Sequence, residues 1–510
     1  MTIDNYQKPD EVITLDDLKK FLWEAATHLR GQIDAAGYKE YIFPMLFFKR
    51  ISDVYDEQYD SYVHDGGLEY AKAQAEELAI HIPDGAHWED VRKVTENVGQ
   101  ALVQAFIDIE QANPARKVGN RLVGGLEGIF GPKDGWTNKN KMPDRVITSL
   151  IEDFSRYNLS LAHCPADEMG QAYEYLIGKF ADDAGNTAQE FYTNRTVVEL
   201  MAEILQPQPD ESIYDPTCGS GGMLVKCLDY LRRHGKEWQG VHVYGQEING
   251  ITSSIARMNL YLNGVEDFSI VRGDTLAEPA FTEGDHLQTF DVVLANPPYS
   301  IKEWNRTAFE HDKWGRNFLG TPPQARADYA FIQHILKSMD AETGRSAVLL
   351  PHGVLFRNEE QDIRRHLIDE HDLLAAVIGI GPNLFFNSPM EACIMIFDSH
   401  KPDSLKDRIL FVNAVKEVTR KNGESYLEPK HIKKIVNAVL KENEEEHFCR
   451  IVPKDEIIKH DYSLNIPIYV NALAQDFNKE VLDYESAYSI WNENQNELDN
   501  NLQSLIKMIG

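Results

Sequence analysis

The chain has 510 residues, enough for two or three domains, and its 43% hydrophobic and 10% aromatic content supplies an ordinary globular core. It carries 51 Lys and Arg against 81 Asp and Glu, a net charge of −30. That weighs against a protein that wraps nucleic acid unaided, since phosphate contacts come from Lys and Arg. Five cysteines (Cys164, Cys218, Cys227, Cys393 and Cys449) without CxxC spacing support neither a disulfide framework nor a zinc site. No apolar run reaches membrane length and the start MTIDNYQKPDEVITLDDL is too polar for a secretory signal, so a reduced, cytoplasmic protein is expected.

Residues 12–160 read as mostly helical. LDDLKKFLWEAATHLRG carries apolar residues at helical spacing and ends at Gly31, and EYIFPMLFFKRISDVYDEQYD follows. A second helical set runs through WEDVRKVTENVGQALVQAFIDIEQ and DRVITSLIEDFSRY, and no internal repeat is visible. From about 186, short apolar strands alternate with helices. The strand candidates are 212–215, 242–247, 268–274, 291–296, 346–351, 373–380, 392–398 and the stretch RILFVNA. Such alternation predicts a doubly wound, Rossmann-like α/β domain with ligands at the C-terminal strand ends. The expected partition is a helical domain over 1–160, the α/β domain over 161–400, a mixed extension over 401–470 and a terminal helix over 471–510. The acidic stretch KENEEEH (441–447) reads as a solvated helix face.

Four consecutive strand ends carry distinctive chemistry. In YDPTCGSGGMLV, Asp215 closes a strand, and Thr217, Gly219, Ser220, Gly221 and Gly222 form a turn that opens a helix. Glycines there let backbone approach a ligand at a helix N-terminus. Alone, the turn fits dinucleotide and methyl-donor sites equally well, and it is no Walker loop because no GK[ST] follows. Glu247 ends the next strand, where a carboxylate can accept from both ribose hydroxyls. Asp274 ends the third, within reach of an adenine amine. The fourth ends in Asn296-Pro297-Pro298-Tyr299, a stiff edge with carbonyl acceptors, an amide and a ring. Any one of these carboxylates could be a helix cap or a surface residue; all four in this order make a ligand site the better reading.

This order resembles that of S-adenosylmethionine-dependent amino-methyltransferases, and NPPY is similar to the signature of those acting on adenine N6 in DNA. Nearly the whole chain resembles the modification subunit of type I restriction–modification systems. The stretches that carry the likeness include LWEAATHLRGQIDAAGYKEYIFPMLFFKRISD, MGQAYEYLIGKFA, EFYTNRTVVELM, DPTCGSGGML, ANPPYS, RADYAFIQHIL, LPHGVLFRN and DYSLNIPIYV. The resemblance implies S-adenosylmethionine as cofactor, with Glu190, Phe191, Tyr192, Thr193, Asn194 and Arg195 closing over its methionine end. Asn194 stands where the family usually has proline, which implies a looser turn. It further implies that the Asn296 oxygen and the Pro297 carbonyl accept the two amine hydrogens of a flipped adenine while Tyr299 stacks on the base. A specificity subunit would then read the target in double-stranded DNA. A second modification subunit would complete the complex, whether a restriction subunit also joins is left open by the sequence, and no metal or membrane is implied.

Three further readings stay open on sequence. The planar amine could belong to cytosine N4, guanine N2 in RNA or a glutamine. A fused restriction–methylation enzyme would need a nuclease segment, and residues 1–160 offer no strand-borne carboxylate–lysine cluster. A non-catalytic scaffold of a DNA-binding complex could have kept the fold. Two segments carry interaction expectations. The stretch 302–330, with Lys302, Arg306, Lys313, Arg316 and Arg326, reads as a mobile loop meeting DNA phosphates, or else an ordinary surface loop. Positions Phe477, Val481, Tyr484, Tyr488, Trp491, Gln495, Leu498, Leu502, Leu505 and Ile509 alternate steps of four and three, a coiled-coil seam suited to a subunit contact or to folding back on its own domain.

Overall fold

The computed structural model describes residues 11–29, 33, 37–118, 121–183, 193–384, 391–421 and 424–471. The predicted seam from Phe477 to Ile509 therefore lies outside the described residues. Helix α1 (Leu15–Thr27) starts where the Thr14 hydroxyl accepts the Asp17 amide at 3.2 Å, and it buries Leu18, Phe21, Leu22, Ala25 and Ala26 on one face. Helix α2 (Lys39–Ala75) bends at Gly67, whose φ of 80° leaves helical space. With α3 (Val98–Ala112) and α4 (Asp144–Phe154) it encloses an aromatic core that includes Phe47, Phe48, Trp88, Phe106, Phe130 and Trp136. Phe106 and Phe130 stack at 4.1 Å between ring centroids.

The helical core does not stop at residue 160. Helix α5 (Ala166–Asp183) belongs to it, with Phe43 against Tyr173 at 4.8 Å. The buried Arg50 guanidinium donates to the carbonyls of Leu159, Ser160 and Cys164, which anchors the approach to α5. The Tyr173 hydroxyl in turn donates to the Ile255 carbonyl at 3.2 Å, and Ile255, Met258 and Leu262 join the same core. Helical layer and α/β layer thus share side chains.

The central sheet has nine strands: β1 (Ser212–Asp215), β2 (His242–Glu247), β3 (Phe268–Arg272), β4 (Val292–Ala295), β5 (Arg345–Pro351), β6 (Leu374–Ile380), β7 (Ala392–Asp398), β8 (Arg408–Ala414) and β9 (Cys449–Pro453). Their order is β9-β8-β6-β7-β5-β4-β1-β2-β3. Pairing is parallel from β3 through β5 and between β6 and β8; β7 runs antiparallel to both neighbours, and β9 antiparallel to β8. The sheet is therefore continuous from 212 to 453, and RILFVNA lies inside it as β8. Strand β9 escapes prediction because CRIVP is half-exposed and carries an arginine. The hairpins 116–123, 282–287 and 419–426 escape because their strands are two or three residues long. Helices α6 (Arg195–Leu205), α7 (Gly222–Arg233), α8 (Gly250–Leu262), α9 (Asp328–Lys337) and α10 (Pro429–Lys441) are the main helices of this layer. Among the described residues no helix is long and apolar enough to cross a membrane.

Candidate active site

Parallel pairing brings the C-terminal ends of β1 to β4 to one sheet edge. There the turn from Asp215 to Gly222 is held from three sides. The Cys218 amide donates to the Gln246 carbonyl at 3.0 Å, the Gly219 amide to Glu247 Oε2 at 3.1 Å, and buried Asn259 donates to the Ser220 carbonyl at 3.0 Å. Gly221 sits at φ 76° immediately before α7, a left-handed position where glycine carries no Cβ penalty.

A narrow cleft opens above this turn. Thr193, Arg195, Asp215, Thr217, Gly219, Ser220, Gly222 and Asn296 all line it, so one site collects residues spread over more than a hundred positions. Val198, Cys218, Met223 and Lys226 line it too, unforeseen from sequence. The signal for Lys226 was its place one helical turn after Gly222. Glu247 reaches the cleft through Gly219, and its Oε1 accepts the Asn249 amide at 2.7 Å. Asp274 is exposed; its Oδ1 accepts the amides of Leu276 and Ala277 at 2.9 and 3.2 Å. Next to it the Thr275 hydroxyl donates to the Pro216 carbonyl at 2.5 Å, which draws the β3 loop against the glycine turn.

At the opposite lip Asn296 is bonded on both sides. Its amide nitrogen donates to Thr193 Oγ1 at 2.9 Å and its oxygen accepts the Tyr299 hydroxyl at 2.7 Å. Pro297 is buried and Pro298 half-buried. Glu190, Phe191 and Tyr192 lie outside the described residues. Asn194, where the family usually has proline, is itself anchored. Its side chain caps α6 by accepting the Thr196 amide at 3.0 Å, and donates to the Ser425 carbonyl at 2.9 Å. A proline could make neither bond.

Electrostatics divide the cleft. Burial pushes the Asp215 carboxyl up to about 8, against the pull of the Thr217 amide at 2.9 Å. Burial also raises the Cys218 thiol and the Tyr299 hydroxyl well above their ordinary values. On the α5 side two cations gather: Arg195 pairs with buried Glu174, and Lys226 stands 3.9 Å from that carboxylate and 2.9 Å from Asp229.

The segment 302–330 is not a free loop. It contains a short helix, Arg306–Glu310, and closes on itself where Trp304 donates to the Gln324 carbonyl at 3.0 Å and Gln324 to the Lys302 carbonyl at 2.8 Å. Arg316 corrects the phosphate-contact expectation directly, since it is 1% exposed. It donates to the carbonyls of Thr275 and Leu276 at 2.9 and 2.8 Å and pairs with Asp312 at 2.6 Å. It therefore ties this segment to the β3 loop. Arg306 donates to the Pro322 carbonyl at 2.9 Å, Arg326 is half-buried, and Lys302 and Lys313 are exposed.

Fold and site together define an α/β enzyme of the glycine-turn, Asn-Pro-Pro-Tyr type. Comparison with known proteins places it further. The family model N-6 DNA Methylase matches residues 165–477, and HsdM N-terminal domain matches 18–154. The chain is 30% identical to the type I restriction enzyme MpnII methylase subunit of Mycoplasma pneumoniae over 91% of each chain. It is 26% identical to the MjaIX methylase subunit of Methanocaldococcus jannaschii over 96% of this chain and 91% of the relative. The crystal structure of a type I restriction-modification methyltransferase subunit from Streptococcus thermophilus matches with a TM-score of 0.76 at 31% identity, covering 90% of this chain and all of that one. The chain belongs to the N-6 DNA methylase family, among the methylase subunits of type I restriction–modification systems. It is an S-adenosylmethionine-dependent, adenine-specific DNA methyltransferase.

Proposed function

We propose that the cleft above the glycine turn takes S-adenosylmethionine and that Asn296 and Tyr299 receive the target adenine at its opposite lip. The observation that carries this is the pair of bonds joining Asn296 to Thr193 and to Tyr299 across the mouth of a cleft floored by Asp215 and Gly219. The donor set fits the cofactor: backbone amides at a helix N-terminus, carboxylates at Asp215 and Glu247, and the cations Arg195 and Lys226 toward one end suit a ligand bearing both an amino and a carboxylate group. The exposed Asp274 carboxylate offers an acceptor for an adenine amine. When bound, the cofactor supplies an electrophilic methyl.

The protein's own part is orientation. The exocyclic amine of adenine is a poor nucleophile because its lone pair is delocalised into the ring. The Asn296 oxygen keeps a free lone pair beside the Tyr299 hydroxyl, and the Pro297 carbonyl lies next in the chain. Accepting both amine hydrogens would favour a more tetrahedral nitrogen, its lone pair free to point along the line on which the cofactor would supply its methyl. Tyr299 stacks on the base after it leaves the duplex.

In the assembled enzyme a specificity subunit reads the sequence in double-stranded DNA, and a second copy of this chain completes the methylating complex. The acidic charge of −30 supports this division, since target recognition and much of the phosphate contact then fall to the partner. The decisive test is Asn296→Ala in the complex with the specificity subunit. Loss of one such contact costs about 10²–10³ in rate, while S-adenosylmethionine affinity stays near normal. Full turnover in that variant would sink the assignment.

A further inference from the structure

The residue after the Asn-Pro-Pro-Tyr run is strained. Ser300 has φ 52°, the left-handed region that a residue with a side chain enters only when its surroundings enforce it. The enforcing group is visible. The Ser300 amide donates to Asp328 Oδ1 at 3.0 Å, 28 residues on in the first turn of α9. Asp328 is wholly buried, and its Oδ2 accepts Arg357 Nη1 at 2.8 Å. The same Nη1 lies 3.6 Å from Oε2 of Glu360, also wholly buried, neither of whose carboxylate oxygens has a hydrogen-bond partner. Two buried carboxyls therefore share one guanidinium, and only Asp328 reaches back to the strand end.

We infer that Asp328 and Arg357 are positioning residues that fix the Ser300 turn and, through it, aim Tyr299 and Asn296 at the target base. This rests on the reading of that lip as the base site. Ser300 adjoins Tyr299, whose hydroxyl is already committed to Asn296 at 2.7 Å, so a released Ser300 amide displaces both groups together. Asp328 touches neither cofactor cleft nor base and acts only through the turn. Arg364 and Arg326 are the other cations near Glu360, with Asp328 as the opposing anion; Cys393 and Asp328 face Tyr299. Burial raises Glu360 to about 7, so its charge varies near neutrality.

The test uses the full chain in complex with its specificity subunit. Asp328→Ala should lower kcat by about 10²-fold, the scale of an ångström-level misplacement, with S-adenosylmethionine affinity unchanged. Asp328→Asn keeps an oxygen for the Ser300 amide and should recover about a tenth of the wild-type rate. Arg357→Met leaves Glu360 beside Asp328 without their shared guanidinium, so its kcat deficit should deepen as pH rises through neutrality and Glu360 ionises. A folded Asp328→Ala with wild-type kcat would overturn the inference, as would a wild-type, pH-independent rate in Arg357→Met if the alanine variant does not fold. Asn296→Ala run in parallel separates the two claims. If it is inactive while Asp328→Ala is normal, only the turn clamp falls; if it is fully active, the base-site reading itself falls.

Discussion

Ligand binding at this site should expel a proton from Asp215. The carboxyl is 1% exposed at the end of β1, and burial raises it to about 8, with Glu247 adding to the rise and the Thr217 amide opposing it. At pH 7 a group of that pKa is about nine-tenths protonated. A ligand bearing positive charge above the turn favours the ionised form. Wild-type protein should therefore release about 0.9 more protons at pH 7 than Asp215→Asn does, falling to about 0.5 at pH 8. The ligand's own amino group titrates in the same window, so the difference between the two proteins is the quantity to measure. Titration calorimetry with S-adenosylmethionine in buffers of different ionisation enthalpy gives it directly. The sign for stability follows. With a folded pKa raised above the unfolded value of about 3.9, the empty fold binds the extra proton between roughly pH 4 and 8, so this residue's contribution to stability falls as pH rises through that window. Equal proton release by wild type and Asp215→Asn, both binding normally, would refute the reasoning.

Gly221→Asp should abolish S-adenosylmethionine binding, because φ 76° disfavours a side chain there and its Cβ would press on Ala256 at 3.4 Å; equilibrium dialysis checks it. Glu247→Ala should weaken binding and loosen the glycine turn, since the Gly219 and Asn249 amides lose their acceptor, and a normal Kd would count against the pocket. Tyr299→Phe should keep part of the methylation rate and Tyr299→Ala almost none, because stacking needs the ring more than the hydroxyl that bonds Asn296. Arg316→Ala should lower stability by about 3–5 kcal/mol by leaving Asp312 buried and unpaired, seen in denaturant unfolding, with little change in the salt dependence of DNA binding. Deleting residues 474–510 should leave cofactor binding intact and prevent assembly with the specificity subunit; full co-purification of the truncated chain would show the seam serves something else.

The strand ends were readable because each is an apolar run stopped by a chemically distinctive residue. Asp215 and Glu247 close their strands, Asn296 follows Ala295 and Asp274 lies two residues past Arg272, and parallel pairing brings these strand ends to one edge. What could not be read depends on partners distant in sequence. A charge pattern cannot distinguish a solvated arginine from one whose guanidinium is saturated by carbonyls, so Arg316 was placed on the surface. Asn194 looked like a missing proline until its bonds to Thr196 and Ser425 were visible, the latter 231 residues away. That α5, beyond the expected boundary at 160, packs on the helical core was equally illegible, since only packing assigns it there.

The fate of Arg316 is not isolated, and it bears on the charge of the chain. Arg50 donates to Leu159, Ser160 and Cys164; Arg257 to Gly125 and Glu127; Arg345 to Leu205 and Gln206; Arg364 to Val354 and Tyr462. Each of these guanidiniums cross-ties a backbone segment, most of them more than forty residues away along the chain. A guanidinium suits this role because it offers five donors in a fixed fork and stays charged. Arginines held this way are withdrawn from any phosphate, while the carboxylates that outnumber them remain largely on the surface. On the proposed reading, phosphate contact falls to exposed cations such as Lys302 and Lys313 and to whatever the partner subunit brings. On the proposed reading, that is the physical reason a chain with a complete methylation site needs another protein to hold its substrate.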